Sequence, residues 1–174
     1  EKTIMPLTEN TFSPFYCFFK YLNNLFKNTY IKDIIERNNL RGDITIDTLV
    51  DVLASSIGSL NNPTKIAKTF ASNGIKTADK TISTYVDYLL DAFLIRKATR
   101  YDIKGRKYIN SPFKYYFSDV GLRNARLNFR QQEQTHIMEN IIYNELENMR
   151  SQIDSLKKKI EKQTIVNAEH IRLK

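Results

Sequence analysis

At 174 residues the chain has room for one domain of ordinary size, or a domain with an appendage. Hydrophobic residues at 41% and charged residues at 26%, with ten Tyr and ten Phe, exclude a chain that is disordered throughout. The net charge of +8 points to anionic partners, and the single Cys17 excludes an internal disulfide and a cysteine-based zinc site.

A lone cysteine fits a reducing compartment. No signal peptide is visible, and the most apolar stretch, "FYCFF", is cut by Lys20. The expectation is a cytoplasmic protein without a membrane span. The chain opens on Glu1 rather than Met, as a fragment would.

In chain order, residues 1–11 show no periodicity. A helix is predicted from Ser13, a suitable N-cap, with Pro14 in its first position. Phe15, Phe18, Phe19, Leu22, Leu25 and Phe26 share one helical face, and Ile31, Ile34 and Ile35 continue it after an expected break near Asn28-Thr29. So dense an aromatic stripe reads as core, or as an interface with a missing neighbour. A second helix, over 44–57, carries Leu49, Val52, Leu53 and Ile57 on one face, and Gly58 stops it. A short helix over 63–73 is capped by Asn62, opened by Pro63 and closed by Asn73-Gly74. The next, over 77–93, buries Ile82, Tyr85, Val86, Leu89, Leu90 and Phe93, with Thr77 or Asp79 as cap.

The period then changes. "IRKATRYDI" and "KYINSPFKYYFS" are strand-like, and Lys104-Gly105 between them suits a hairpin turn. From Gln131 a long helix is predicted with no breaker. Ile142, Leu146, Met149, Ile153, Leu156 and Ile160 follow a heptad spacing along it. That seam is expected to be buried in a second helix or a symmetric partner.

From Arg96 to Arg130 there are ten basic residues (Arg96, Lys97, Arg100, Lys104, Arg106, Lys107, Lys114, Arg123, Arg126, Arg130) against Asp102 and Asp119. Such a patch attracts polyanions through long-range fields and counterion release. The bland alternative is a solvated face.

Three helices followed by a hairpin at 95–117 are the order of a winged helix-turn-helix. Ala67 is small where two helices would cross, Gly74 suits the corner, and Ile82 and Val86 would fill the angle. The fold class expected is mainly α with a small β wing, flanked by the aromatic N-terminal helix and the long C-terminal one. The groove-reading helix would expose Lys76, Thr77, Lys80, Ser83, Thr84 and Asp87. Its net charge from Lys76 to Ile95 is only −1, which is poor for a DNA groove. Contact with double-stranded DNA would therefore fall on phosphates, through Lys76, Lys80, Arg100, Lys104, Arg106, Lys107 and Lys114. Tyr101 and Tyr108 would stack on a sugar or base, or pack on the core.

The strings "YIKDIIERNNLR", "LASSIGSLNNPTKIAKTFASNGIKTADKTISTYVDYLLDAFLI", "ATRYDIKGRKYI", "KYYFSDVGLRN" and "MENIIYNEL" follow one another over residues 28–146. Together they resemble the C-terminal half of a family of prokaryotic, archaeal-type AAA ATPases. That resemblance implies a P-loop core upstream, a winged-helix region, and then a restriction-endonuclease-like domain. It assigns 1–43 to the end of an ATPase lid, 44–128 to the winged helix, and 129–174 to a long helix and tail left from the nuclease-like domain. It also implies that Glu139 could be the first metal-binding acid of such a nuclease, and that Arg37 could reach a nucleotide, although a surface salt bridge is the plainer reading of Arg37.

"SPFKYYFSDVGLRN" is the one stretch that looks like a metal-gripping loop. Asp119 has no converging carboxylates near it in sequence, so it reads better as the cap of a short helix at Val120 or Gly121, with Gly121 allowing close packing. No G-x-x-x-x-G-K-[ST] occurs, and after Glu147 the chain departs from the family pattern into "ENMRSQIDSLKKKIEKQ". There Glu161 is followed directly by Lys162, so the Glu-x-Lys a nuclease needs is missing. His136 and His170 read as surface histidines. The expectation is a non-catalytic module without cofactor or metal, contacting nucleic acid through the wing. The competing expectation is a protein-docking and homo-oligomerisation module using the aromatic helix and the heptad seam.

Overall fold

A computed structural model describes residues 14–40, 44–99, 112–130 and 133–172. Helix α1 (Pro14–Leu25) runs through a π-helical turn (Phe26–Ile31) into α2 (Lys32–Arg37). The break expected at Asn28-Thr29 is therefore a local change of pitch inside a continuous helix. It keeps Phe26, Ile31 and Ile34 buried together, although their spacing differs from a regular α-helix. The aromatic stripe is narrower than expected. Phe19 leans on Phe129 at 5.8 Å between ring centroids, whereas Phe18, at the other edge of the stripe, is exposed.

Helix α3 (Ile44–Ser55) buries Ile46, Leu49, Val50 and Leu53 and ends ahead of Gly58, whose φ of 70° supplies the left-handed turn. Helix α4 (Pro63–Ser72) begins as expected: the Asn62 side chain accepts from the Lys65 N–H at 2.7 Å, and Pro63 takes the first turn. Helix α5 (Asp79–Asp91) begins differently. Its N-cap is Ala78, with no side-chain bond, and neither Thr77 nor Asp79 caps it. The Asp79 carboxylate instead accepts from the Thr64 hydroxyl at 2.6 Å, which ties the starts of α4 and α5 together. Ala67, Ile82 and Val86 are buried between these helices.

Helices α4 and α5 close with the same hydrogen-bond pattern. After α4, Ile75 N–H donates to Phe70 and Gly74 N–H to Ala71, with Gly74 at φ 79°. After α5, Leu94 N–H donates to Leu89 and Phe93 N–H to Leu90, with Phe93 at φ 55°. A phenylalanine thus holds the position that glycine usually takes in this motif. Phe93 was expected in the core. It is 81% exposed, because the left-handed turn swings it away from the face that Val86 and Leu89 bury.

Strands β1 (Ile95–Ala98) and β2 (Lys114–Phe117) pair antiparallel, from Ile95 opposite Phe117 to Ala98 opposite Lys114. An isolated antiparallel bridge joins Asn61, between α3 and α4, to Phe113 through two bonds of 2.7 Å. Helix α6 (Val120–Arg126) starts where Asp119 accepts from the Leu122 N–H at 3.1 Å, so this carboxylate is a cap, as its sequence context indicates. Gly121 lets Asp119 fold back: a Cβ there would lie 3.0 Å from its carboxylate. Helix α7 (Gln134–Arg172) is the last described element.

The molecule is thus mainly helical with one two-stranded antiparallel sheet among the described residues. One hydrophobic cluster runs from Leu22 to Ala125, so the helices before residue 43 share a core with those after it.

Candidate nucleic-acid interface

Lys76, just before α5, and Lys80 and Asp87 on it are exposed, while Thr77, Ser83 and Thr84 are half-buried. On β1, Arg96 is half-buried and Lys97 exposed, with the Lys97 ammonium 3.7 Å from the centre of the Phe113 ring. This cation–π contact orients a lysine that sequence reasoning did not single out. Strand periodicity would put Lys97 on the same face as the buried Ile95, so no pattern in the sequence marked it as exposed. Arg100, Tyr101, Lys104, Arg106, Lys107 and Tyr108 lie outside the described residues.

Three other cations of the basic segment are turned inward. Lys114, expected among the phosphate contacts, directs its ammonium to Glu139 Oε1 at 2.5 Å. Arg123 is fully buried, and its Nε donates to the Ala54 carbonyl at 2.9 Å. Burial pulls this guanidinium below its ordinary pKa, opposed by the charge of Glu133. Arg126 meets Asp51 with two nitrogens and Asp47 with one, and its guanidinium sits 5.7 Å from the centre of the Phe26 ring. Burial alone would lower the Arg126 pKa, but the bonds to Asp51 and Asp47 outweigh it and raise it. These residues hold α6 and β2 against α3 and α7. Among the described cations of α5, the segment before it and the basic segment, Lys76, Lys80, Lys97 and Arg130 are exposed.

The root of α7 is locked to β2 by polar side chains. Asn140, fully buried, accepts from the Phe117 N–H and donates to the Phe117 carbonyl, both at 2.8 Å. Its amide thus pairs with a strand residue much as a neighbouring strand would. Asn144, one turn on, donates to the same carbonyl at 2.9 Å, and Tyr143 stacks on Tyr116 at 4.4 Å between centroids. Asn140, Tyr143 and Asn144 fall on one helical face, which was the available sequence signal for this junction. His136 packs here as well, with its ring 3.4 Å from where a Gly58 Cβ would lie, rather than standing free on the surface.

Glu139 accepts from Lys114 and, at 2.6 Å, from the Tyr116 hydroxyl. Burial alone raises its carboxyl pKa, but the bonds from Lys114 and Tyr116 outweigh this and hold it below the ordinary 4.5. The Tyr116 phenol is raised in turn, by burial first and then by the Glu139 carboxylate. Burial, and then Asp87, push Tyr115 up to about 12. A depressed carboxyl stabilises the fold above its unfolded pKa, and that contribution is lost as pH falls through the folded value. The stability difference between wild type and Glu139→Gln should therefore be constant above the ordinary carboxyl range and shrink as pH falls below it. Urea unfolding at stepped pH measures it; a difference independent of pH would show that Glu139 is not held by these bonds.

Along α7 beyond the junction, Ile142, Leu146, Met149, Ile153, Leu156 and Ile160 are each between 51% and 66% exposed. Nothing in the chain's described residues covers them. Arg37 pairs with Asp33 one turn earlier on α2, at the surface. Among the described residues no group of three or more His, Cys, Asp or Glu side chains is placed to hold a metal ion, and no helix is long and apolar enough to cross a membrane.

Residues 13–133 match the family described as a domain of unknown function, DUF8612. A Haemophilus influenzae protein described as uncharacterized is 34% identical over 125 residues, covering 72% of this chain and 31% of its own length. The chain thus spans about a third of that relative. No solved structure matches.

Proposed function

The chain belongs to the family described as domain of unknown function DUF8612, and from its geometry we propose that it is a non-catalytic, winged-helix module that contacts nucleic-acid phosphates through the β1–β2 hairpin. The parent protein on this reading is of the AAA ATPase type, as the resemblance over residues 28–146 implies. Most of the Haemophilus influenzae relative lies outside the match, which leaves room for such a core.

The observation that carries the reading is the distribution of uncompensated charge. Arg123 is buried in the core, and Lys114 and Arg126 are paired within the fold, whereas Lys97 is exposed on β1, Lys80 on α5 and Lys76 just before it. Between Lys97 and Lys107 the sequence adds Arg100, Lys104 and Arg106 against Asp102 alone. The Asn61–Phe113 bridge supports the winged-helix reading. It sets a short extended segment between α3 and α4 beside β2, so the order becomes helix, strand, two helices, two strands. Phosphate contact of this kind is salt-dependent and nearly blind to sequence.

The test is a fluorescence titration of duplex DNA at several salt concentrations, with wild type and a Lys104→Glu, Arg106→Glu, Lys107→Glu variant. Each lost phosphate contact lowers the slope of log affinity against log salt by about one unit, so the variant should lose about three. Equal binding by the two proteins at low salt would overturn the proposal. A second reading, docking onto protein, is favoured by α1, where Tyr16, Phe18 and Tyr21 are all exposed.

A further inference from the structure

We propose that the free part of α7 pairs with α7 of a second copy, parallel and in register, as a two-stranded coiled coil of about three heptads. This inference is independent of the nucleic-acid reading. Residues 148–165 are exposed throughout, so the helix leaves the globular body just after the junction formed by Asn140, Tyr143 and Asn144. Its apolar seam, exposed from Ile142 to Ile160, needs a cover.

The residues themselves select the occupant. In the heptad, Leu146, Ile153 and Ile160 take the a positions, and Ile142, Met149 and Leu156 the d positions. Ile153 and Ile160 at a with Leu156 at d match the pattern that favours parallel dimers, whereas Leu146 at a and Ile142 at d do not. The flanking charges agree. In a parallel pair each g position faces the e position five residues on in the partner, so Glu145 meets Arg150 of the other copy, twice by symmetry. The next such pairs, Gln152 with Lys157 and Lys159 with Thr164, bring no like charges together. The antiparallel arrangement that aligns the whole seam would set Arg150 against the second copy's Arg150. Arg150 is available for this role: it approaches Glu147 at 3.9 Å, and its side chain is 74% exposed. The parallel arrangement places both globular bodies at one end.

Sedimentation of the full chain from about 1 to 100 µM tests the pairing. Wild type should pass from monomer to dimer, and Ile153→Glu should stay monomeric. Residue 153 lies outside the globular body, so an unchanged thermal unfolding profile of that body will show that the variant is folded. A wild type that stays monomeric, or an Ile153→Glu variant that dimerises equally well, overturns the proposal. Orientation is read separately. Arg150→Glu should weaken the dimer about tenfold, and adding Glu145→Lys should restore it. In a Cys17→Ser, Gln163→Cys protein the introduced thiols meet at a d position and should oxidise to an interchain disulfide. In the antiparallel pair each would lie about 36 Å from the equivalent point on its partner. A dimer that forms without this cross-link overturns the parallel arrangement.

Discussion

Arg123→Ala is expected to lower the unfolding free energy by about 4 kcal/mol. The side chain is 1% exposed and lies among residues of the main core. Its Nε donates to the Ala54 carbonyl at 2.9 Å, and a terminal nitrogen donates to the Asn124 side chain at 2.9 Å. Ala54 sits in the last turn of α3, where carbonyls have no partner within the helix. Arg123 therefore supplies, from α6, the cap that α3 does not make for itself. Truncation removes that donor and leaves a cavity as long as the lost side chain. Arg123→Met should recover part of the loss, because it refills the space without restoring the bond to Ala54. Urea unfolding followed by circular dichroism reads both. A loss below about 1 kcal/mol for the alanine variant would show that the guanidinium is not holding α6 to α3.

Asn140→Ala should cost about 3 kcal/mol and should loosen α7 in particular. The Asn140 amide satisfies both the N–H and the carbonyl of Phe117, and it is wholly buried. Without it the Phe117 N–H has no acceptor. The carbonyl keeps the bond from Asn144. Asn140→Asp should not rescue the loss, since a carboxylate accepts from the N–H but repels the carbonyl oxygen beside it. Hydrogen exchange gives a local readout that global stability does not. The Phe117 amide should exchange faster in the alanine variant, while amides of α3 and α4 slow or quicken only with the overall stability. Unchanged protection at Phe117 would place the anchor of α7 elsewhere.

Much of the local structure was legible in the sequence. The Asn62 cap with Pro63, the Asp119 cap and the glycine turns at Gly58 and Gly74 each depend on residues within one helical turn of each other. The antiparallel run from Ile95 to Phe117 was legible from β-branched and aromatic residues on either side of a basic, glycine-containing turn. The heptad on α7 was equally plain, and the spacing alone identifies its face. Less legible was the α1 stripe. Its period is correct, but the π-helical turn at Phe26–Ile31 rotates the face that follows, and no residue type marks such a turn.

The meaning of the charges was not legible at all. Ten basic residues between Arg96 and Arg130 look equivalent in sequence. Only the fold pairs Arg126 with Asp47 and Asp51, Lys114 with Glu139, and Arg123 with the Ala54 carbonyl. Those partners lie 25 to 79 positions away, so no local pattern announces them. Phe93 shows the same limit: its helical spacing says core, and the hydrogen bonds that close α5 put it outside. By itself, then, the sequence determined the helices, most of their caps and the spacing of the seam, because each is written in neighbours one to four residues apart. Which cations face solvent, and where α7 is anchored, only the tertiary structure decided, because charge compensation and burial depend on groups brought together from distant parts of the chain.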